Sequence, residues 1–203
     1  LSKGLIGYWN FNANNRNTTD TYDSSGYYNH GKITGATLTN EGRFKEAYKF
    51  DGVNDYIDMG DDRDLEFINA SFSTSAWVKV AGGQGTFRTI LSDYIVAGEG
   101  GYDLYADSSN QYGVYFRNST SNSNIATSTV TLNSWTHVAT SYNRTHAFLC
   151  VNAVCTSPTA VLNMDVGNTK KFLIGARHAG SVELFFNGTI DEVRIYNRPL
   201  TAT

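Results

Sequence analysis

Apolar and polar side chains alternate along much of the chain. In Ser71-Phe72-Ser73-Thr74-Ser75-Ala76-Trp77-Val78-Lys79-Val80 the alternation sets Phe72, Ala76, Val78 and Val80 on one face and Trp77 on the other, as in a strand buried on one side. Comparable signals recur at 47–50, 56–59, 89–92, 102–105, 112–117, 126–132, 136–142, 171–176 and 188–196. Turn-forming groups divide them: Asp51-Gly52, Asn54-Asp55, Gly82-Gly83, Gly98-Glu99-Gly100-Gly101, Ser108-Ser109-Asn110 and Ala179-Gly180. No long stretch keeps a 3.6-residue period, although 61–67 and 163–167 each have room for one helical turn. About a dozen short strands so spaced predict an all-β protein of two packed antiparallel sheets or a barrel.

Composition narrows the picture. The 203 residues are 40% hydrophobic and 17% charged, enough apolar material for one sizeable core. No Pro-, Ser- or charge-rich linker interrupts them, so residues 1–203 read as a single domain. Charged side chains fall below the usual share of a soluble domain while Asn, Ser, Thr, Gly and Tyr abound, a mix typical of secreted β proteins. The 16 Lys and Arg residues are scattered in a chain of net charge −3, which leaves no footprint for a phosphate backbone and argues against a nucleic-acid partner. The longest apolar runs are about four residues, against the roughly 20 that span a bilayer, so no membrane insertion is expected. Leu1-Ser2-Lys3-Gly4 lacks the parts of a signal peptide, and the far end carries no evident cap, so the chain reads as a module of a longer protein.

The two cysteines, Cys150 and Cys155, flank Val151-Asn152-Ala153-Val154, two β-prone runs around a two-residue turn. With Val151 opposite Val154, the cysteines form the next cross-strand pair, within reach of a disulfide. Ala153 then occupies a turn position that favours glycine. A disulfide places the protein outside the reducing cytosol, secreted or displayed on a cell or virion surface. No further Cys or His stands at zinc spacing. Glycosylation sequons begin at Asn17, Asn69, Asn118, Asn143 and Asn187, but with 20 Asn and 39 Ser and Thr, composition alone supplies about four. They show compatibility with secretion and nothing more.

A longer-range order is carried by a series of short motifs. Gly4-Leu5-Ile6-Gly7-Tyr8-Trp9-Asn10-Phe11 is followed by Asp23-Ser24-Ser25-Gly26-Tyr27-Tyr28-Asn29-His30-Gly31 and by Tyr48-Lys49-Phe50-Asp51-Gly52-Val53-Asn54-Asp55-Tyr56-Ile57. Then come Ser75-Ala76-Trp77-Val78-Lys79, Ser134-Trp135-Thr136-His137-Val138-Ala139, the Val151-Asn152 turn, Leu173-Ile174-Gly175 and Phe186-Asn187-Gly188-Thr189-Ile190-Asp191-Glu192-Val193-Arg194-Ile195-Tyr196. The set, spanning the chain in order, resembles the laminin-G-like jelly-roll family of concanavalin A-like lectin/glucanase architecture. That resemblance implies a two-sheet antiparallel β-sandwich. Two positions depart from the family's pattern. Tyr27 and Tyr28 replace an Asn and a Gly in a loop usually written Ser-Gly-Asn-Gly-Asn-His-Gly, and Asn152-Ala153 replaces Asn-Gly. The loop is therefore expected either to bend differently or to hold Tyr28 in a region that non-glycine residues seldom occupy.

In the Asp23 loop one carboxylate precedes a small, flexible segment, so backbone carbonyls of Gly26, Asn29 and His30 can converge on a hard cation. Were the first and last strands paired, Asp191 would bring a second carboxylate, and the resemblance implies a structural Ca2+ joining these segments. An Asp before Ser-Ser-Gly also suits an Asx turn satisfied by its own backbone. The segments Asp51-Gly52-Val53-Asn54-Asp55-Tyr56 and Asp61-Asp62-Arg63-Asp64 read as turn and solvated-loop chemistry, because their spacing misses an EF-hand loop.

Catalysis finds little support. Glucanases of this architecture carry Glu-x-Asp-x-x-Glu on one strand, and no such segment occurs. Asp191 and Glu192 are adjacent and so expected on opposite faces, while Asp103 and Asp107 would stand about 13 Å apart along a strand. No nucleophile elbow is present either. A non-catalytic protein is expected. Binding remains: a sugar has an apolar face and an edge of hydroxyls, held by flat aromatic rings and polar groups. Alternation puts Tyr112, Val114 and Phe116 on one side of their strand, with Tyr115 and Arg117 on the other. Were the strands neighbours, Trp77, Tyr105, Tyr115, Arg117, His137 and Arg177 would line one open sheet face. Trp77 and Trp135 also stand where the resemblance places Trp whatever the ligand, which makes them core candidates. The expected function is a calcium-stabilised, extracellular module that binds a glycan or glycoprotein. The alternative is a structural or adhesion module that binds a protein or mediates assembly.

Overall fold

The computed structural model describes residues 3–60, 65, 67, 69–82, 87–94, 100–161, 163–164 and 171–201. The helical turns expected at 61–67 and 163–167, the acidic cluster at 61–64 and the turns at 82–83 and 98–101 lie wholly or partly outside those residues.

Two large antiparallel sheets contain most of the described strands. The first runs Val154–Cys155, His146–Val151, Trp135–Tyr142, Phe72–Val80, Asn187–Tyr196, Ala47–Asp51, Thr37–Thr39; Leu5–Trp9 also pairs with Asn187–Tyr196, and Thr159–Ala160 with His146–Val151. The second runs Asn122–Thr129, Gln111–Arg117, Gly101–Ala106, Arg88–Tyr94, Leu173–Ile174, Tyr56–Asp58, Gly31–Thr34, Asp20–Thr21. A separate two-stranded hairpin pairs Arg177–His178 with Val182–Glu183 and packs against Arg88–Tyr94.

The alternation read from the sequence decides which face of each sheet turns inward. Phe72, Ala76, Val78 and Val80 of the first sheet are fully buried, as are Tyr102, Leu104, Tyr112, Val114 and Phe116 of the second. Rings meet across the interface, Phe72 with Tyr102 at 4.4 Å and Tyr142 with Phe116 at 5.3 Å between centroids. Each buried Val, Leu or Phe among them contributes roughly 1.5–3 kcal/mol. The product is the expected jelly-roll sandwich.

Local chemistry explains several details. Cys150 faces Cys155 and Val151 faces Val154, and a disulfide joins the cysteines. Asn152 and Ala153 both take positive φ, 49° and 66°, the signature of a type I′ turn, with Ala153 carrying the strain expected of it. Tyr28 also lies at φ 65°, so the Asp23 loop keeps a glycine-like bend without the glycine. The strand expected at 126–132 instead covers Asn122–Thr129. Asn118 accepts the backbone N–H groups of Thr120 and Ser121 at 3.1 and 2.9 Å, closing a turn that starts pairing at Asn122 opposite Arg117. Pairing with a neighbour thus overrides the weak strand preference of Asn122-Ser123-Asn124. At 171–176 only Leu173–Ile174 pairs, since Gly175 at φ 85° turns the chain.

The first and last strands do lie side by side, with Tyr8 opposite Arg194 and Trp9 opposite Val193. A bulge between Asp191 and Arg194, with Glu192 at φ 55°, corrects one expectation. The extra residue keeps Ile190 and Val193 in the core while Asp191, opposite Trp77, and Glu192, bonded to Tyr8, both lie on the outer side of the sheet, buried there. Asp191 accepts the Phe44 N–H at 2.9 Å, and Glu192 accepts the Tyr8 hydroxyl at 3.0 Å and pairs with Arg194.

Candidate functional site

The outer face of the second sheet is built by residues of the parity opposite to its core positions. Tyr105 stands opposite Gly113 and Thr89, Asp103 opposite Tyr115, and Tyr115 opposite Asn124. A Cβ on Gly113 would come within 2.5 Å of the Tyr105 ring and hydroxyl, so the absent side chain is what gives this ring its place over the neighbouring strand. The Tyr105 hydroxyl donates to Asn124 Oδ1 at 2.6 Å, and the Phe87 ring meets Tyr105 edge-on at 5.2 Å. Together with Arg177 and Leu184 these residues line a cavity of about 410 Å³.

Electrostatics and strain concentrate on one wall. Asp103 is only 3% exposed, and burial pushes its carboxyl up to about 6, although Ser92 and Arg177 pull it back. Its Oδ2 lies 3.4 Å from Arg177 Nη1; its Oδ1, though near Ser92, has no partner at hydrogen-bond geometry among the described residues. Arg177 also donates through Nε and Nη2 to Glu183 Oε1, at 3.2 and 2.5 Å. Burial likewise pushes the Tyr105 hydroxyl up to about 12. The next residue after Glu183, Leu184, is held at φ 51°, a left-handed conformation costing of order 1–3 kcal/mol for a non-glycine residue. Its carbonyl accepts the Thr89 N–H at 3.0 Å, which ties the hairpin to the sheet.

Three of the six expected ligand residues, Tyr105, Tyr115 and Arg177, gather here. Arg117 shares the outer face of the Tyr115 strand but stands outside the lining. Trp77 and His137 lie on the outer face of the first sheet, so the single face drawn from all six residues is corrected to two. Neither Trp77 nor Trp135 is core, because alternate residues of their strands fill the core and both rings remain half-buried outside it. The Arg43 guanidinium sits 4.4 Å over Trp77 and the Lys79 ammonium 5.6 Å over Trp135. His137 lies 5.3 Å from Trp77, and burial, with Arg194 nearby, pushes its imidazole down. Phe87, Thr89, Asp103, Asn124 and Leu184 also line the cavity and were not among the expected ligand residues, Asp103 having been weighed only as a catalytic carboxylate. Asp103 carried a usable signal, since it shares parity with Tyr105 two residues on.

The Asp23 loop has a different character. Asp23 Oδ1 accepts the N–H groups of Tyr8 and Ser25, both at 2.8 Å, and Oδ2 accepts the Ser25 hydroxyl at 2.7 Å and the Asn29 N–H at 3.1 Å. The Asn29 carbonyl takes the Trp9 indole N–H at 2.8 Å, and His30 Nδ1 accepts the Asp23 N–H at 3.0 Å. Gly26, at φ 98°, is exposed. Asp191 bonds to Phe44 and Glu192 instead. Arranged so, these donors hold two separate backbone segments and do not fit one shared calcium shell. Among the described residues no group of three or more His, Cys, Asp or Glu side chains gathers for a metal. The Asp51 turn behaves as expected, Asp51 Oδ1 accepting the Val53 N–H at 2.8 Å and Asp55 Oδ2 the Asp51 N–H at 2.9 Å. Of the sequon asparagines, Asn17, Asn69 and Asn143 are exposed, whereas Asn118 and Asn187 are half-buried.

A sandwich of this kind with an outer-face cleft points to a class of lectin-like β domains. Residues 51–203 match the laminin-G-type family described as the Concanavalin A-like lectin/glucanases superfamily, and the chain belongs to that family. No curated protein sequence matches it. Among solved structures it is similar to the binding domain of Paraclostridial Mosquitocidal Protein 1, at 15% identity and TM-score 0.79 over 98% of this chain and 50% of that one. It is also similar to domain 4 of AbnA, a GH43 extracellular arabinanase from Geobacillus stearothermophilus solved with arabinotriose, at 21% identity and TM-score 0.71 over 98% and 94%. A third is the binding domain of botulinum neurotoxin DC in complex with rat synaptotagmin II, at 16% identity and TM-score 0.72 over 98% and 49%. The chain thus spans about half the length of the two toxin domains. Among the described residues no helix is long and apolar enough to cross a membrane.

Proposed function

We propose that the protein is a non-catalytic, extracellular recognition domain that binds carbohydrate in the cleft on the second sheet. The observation that carries this reading is the meeting of Phe87, Tyr105 and Tyr115 with Asp103, Asn124 and Arg177 around one cavity of about 410 Å³. Such a site offers ring faces to the apolar side of a sugar and polar groups to its hydroxyl edge. The two carboxylates of this wall contact one guanidinium, so they act as its counter-ions rather than as a free acid and base across a scissile bond. The Cys150–Cys155 disulfide supports an oxidising, extracellular setting, and the arabinanase domain solved with arabinotriose supports sugar as the ligand class. A protein partner is the second reading, favoured by the exposed Tyr27 and Tyr28 and by the toxin domain solved with synaptotagmin.

A glycan array followed by calorimetry tests the first reading. Wild type is expected to bind neutral oligosaccharides, and Tyr115→Ala, checked for folding by circular dichroism, to weaken binding at least about tenfold. Wild-type protein that captures no glycan, or equal affinity in the folded variant, would move the function away from this cleft.

A further inference from the structure

Arg177 is the one cation among the described residues that lines the cleft. A guanidinium with free donors in a sugar site grips a carboxylate in bidentate fashion and selects acidic sugars. Here its two ends are engaged by acids of the protein. Nη1 lies 3.4 Å from Asp103 Oδ2, while Nε and Nη2 lie 3.2 and 2.5 Å from Glu183 Oε1. One positive and two negative charges leave the wall net negative, and Asp103 is too buried for salt to screen it well. A glycan carboxylate brought to this wall meets repulsion. A hydroxyl meets an acceptor, because the Asp103 carboxylate itself lines the cleft.

The backbone is organised to hold this arrangement. Arg177 and Glu183 face one another across the short hairpin, and the left-handed Leu184 immediately after Glu183 fixes how that strand re-enters the sheet. Strain of this kind persists where the surroundings over-determine it, as at ligand clamps.

We infer that the Arg177–Asp103–Glu183 wall is the specificity determinant of the cleft, admitting uncharged sugars that donate a hydroxyl to Asp103 and rejecting uronic and sialic acids. The inference rests on the carbohydrate-binding reading above. Its test uses an array on which each neutral oligosaccharide is printed beside a counterpart carrying a uronic or sialic acid. Wild type is expected to bind neutral members over their acidic counterparts. Glu183→Gln, at a partly exposed position, frees part of the guanidinium and is expected to raise acidic relative to neutral binding about tenfold. Asp103→Asn, nearly the same shape, shifts the ratio the same way. Wild type that binds acidic members equally well, or variants that leave the ratio unchanged, would overturn the inference while neutral binding still upheld the site. Wild type that binds no glycan at all would remove the site and this inference together.

Discussion

Asp103 shows how much a single buried carboxyl sets. With its carboxyl raised from the usual 3.8 to about 6, the folded protein keeps a proton that the unfolded chain releases between those values. Folding therefore binds protons in that window, and stability falls as pH rises from about 4 to about 6. Asp191, raised to about 6 by burial beneath the Phe44 segment, acts in the same direction. Denaturant titrations at a series of pH values should show a shallower fall for Asp103→Asn than for wild type; an identical slope would contradict the buried, raised carboxyl. At this scale the sequence was informative where parity alone decides. Tyr105 and Tyr115 were legible as outward-facing, and Asp103 was visible by the same rule. The opposed placement of Asp191 and Glu192 failed because one extra residue in a strand flips parity, and nothing local announces it.

Among the elements, the disulfide hairpin was the most legible, since its register follows from a two-residue turn and needs no distant partner. The Asp23 loop was legible only as chemistry: one acid before small residues suits either a cation or an Asx turn, and the four hydrogen bonds to its carboxylate are those of the turn. Removing the carboxylate with Asp23→Ala should destabilise the fold by about 2–4 kcal/mol in urea titrations, as four charge-assisted bonds to this loop are lost. The same loop makes a second expectation: EDTA should leave the wild-type melting temperature unchanged. A fall with EDTA that Ca2+ restores would mean that the loop opens to take a cation. The Arg177–Glu183 hairpin was legible only at its Ala179-Gly180 turn. Its strands are two residues each, and their polar residues pair because the hairpin packs against the sheet, not because they favour strands.

For the whole molecule the decisive fact is which strands share a sheet. The outward parity of Trp77, His137, Tyr105 and Tyr115 was readable, but their union on one face was not. Strand order is set by long-range pairing, with Phe72–Val80 and Trp135–Tyr142 joined in the first sheet and Gly101–Ala106 and Gln111–Arg117 in the second. The first sheet's outer face sets its own cations over its aromatics, Arg43 over Trp77, Lys79 over Trp135 and Arg194 over Tyr8, beside a cavity of about 600 Å³ lined by Tyr8, His137 and Arg194. The second leaves a cleft between Tyr115, Tyr105 and the hairpin wall. An amide chemical-shift titration of isotope-labelled protein with a neutral oligosaccharide bound on the array separates the two faces most directly. Binding in the cleft of the second sheet should shift Asp103, Tyr105, Gly113, Tyr115, Asn124 and Arg177; shifts centred on Trp77, His137 and Arg194 would place the ligand on the first sheet and overturn the assignment.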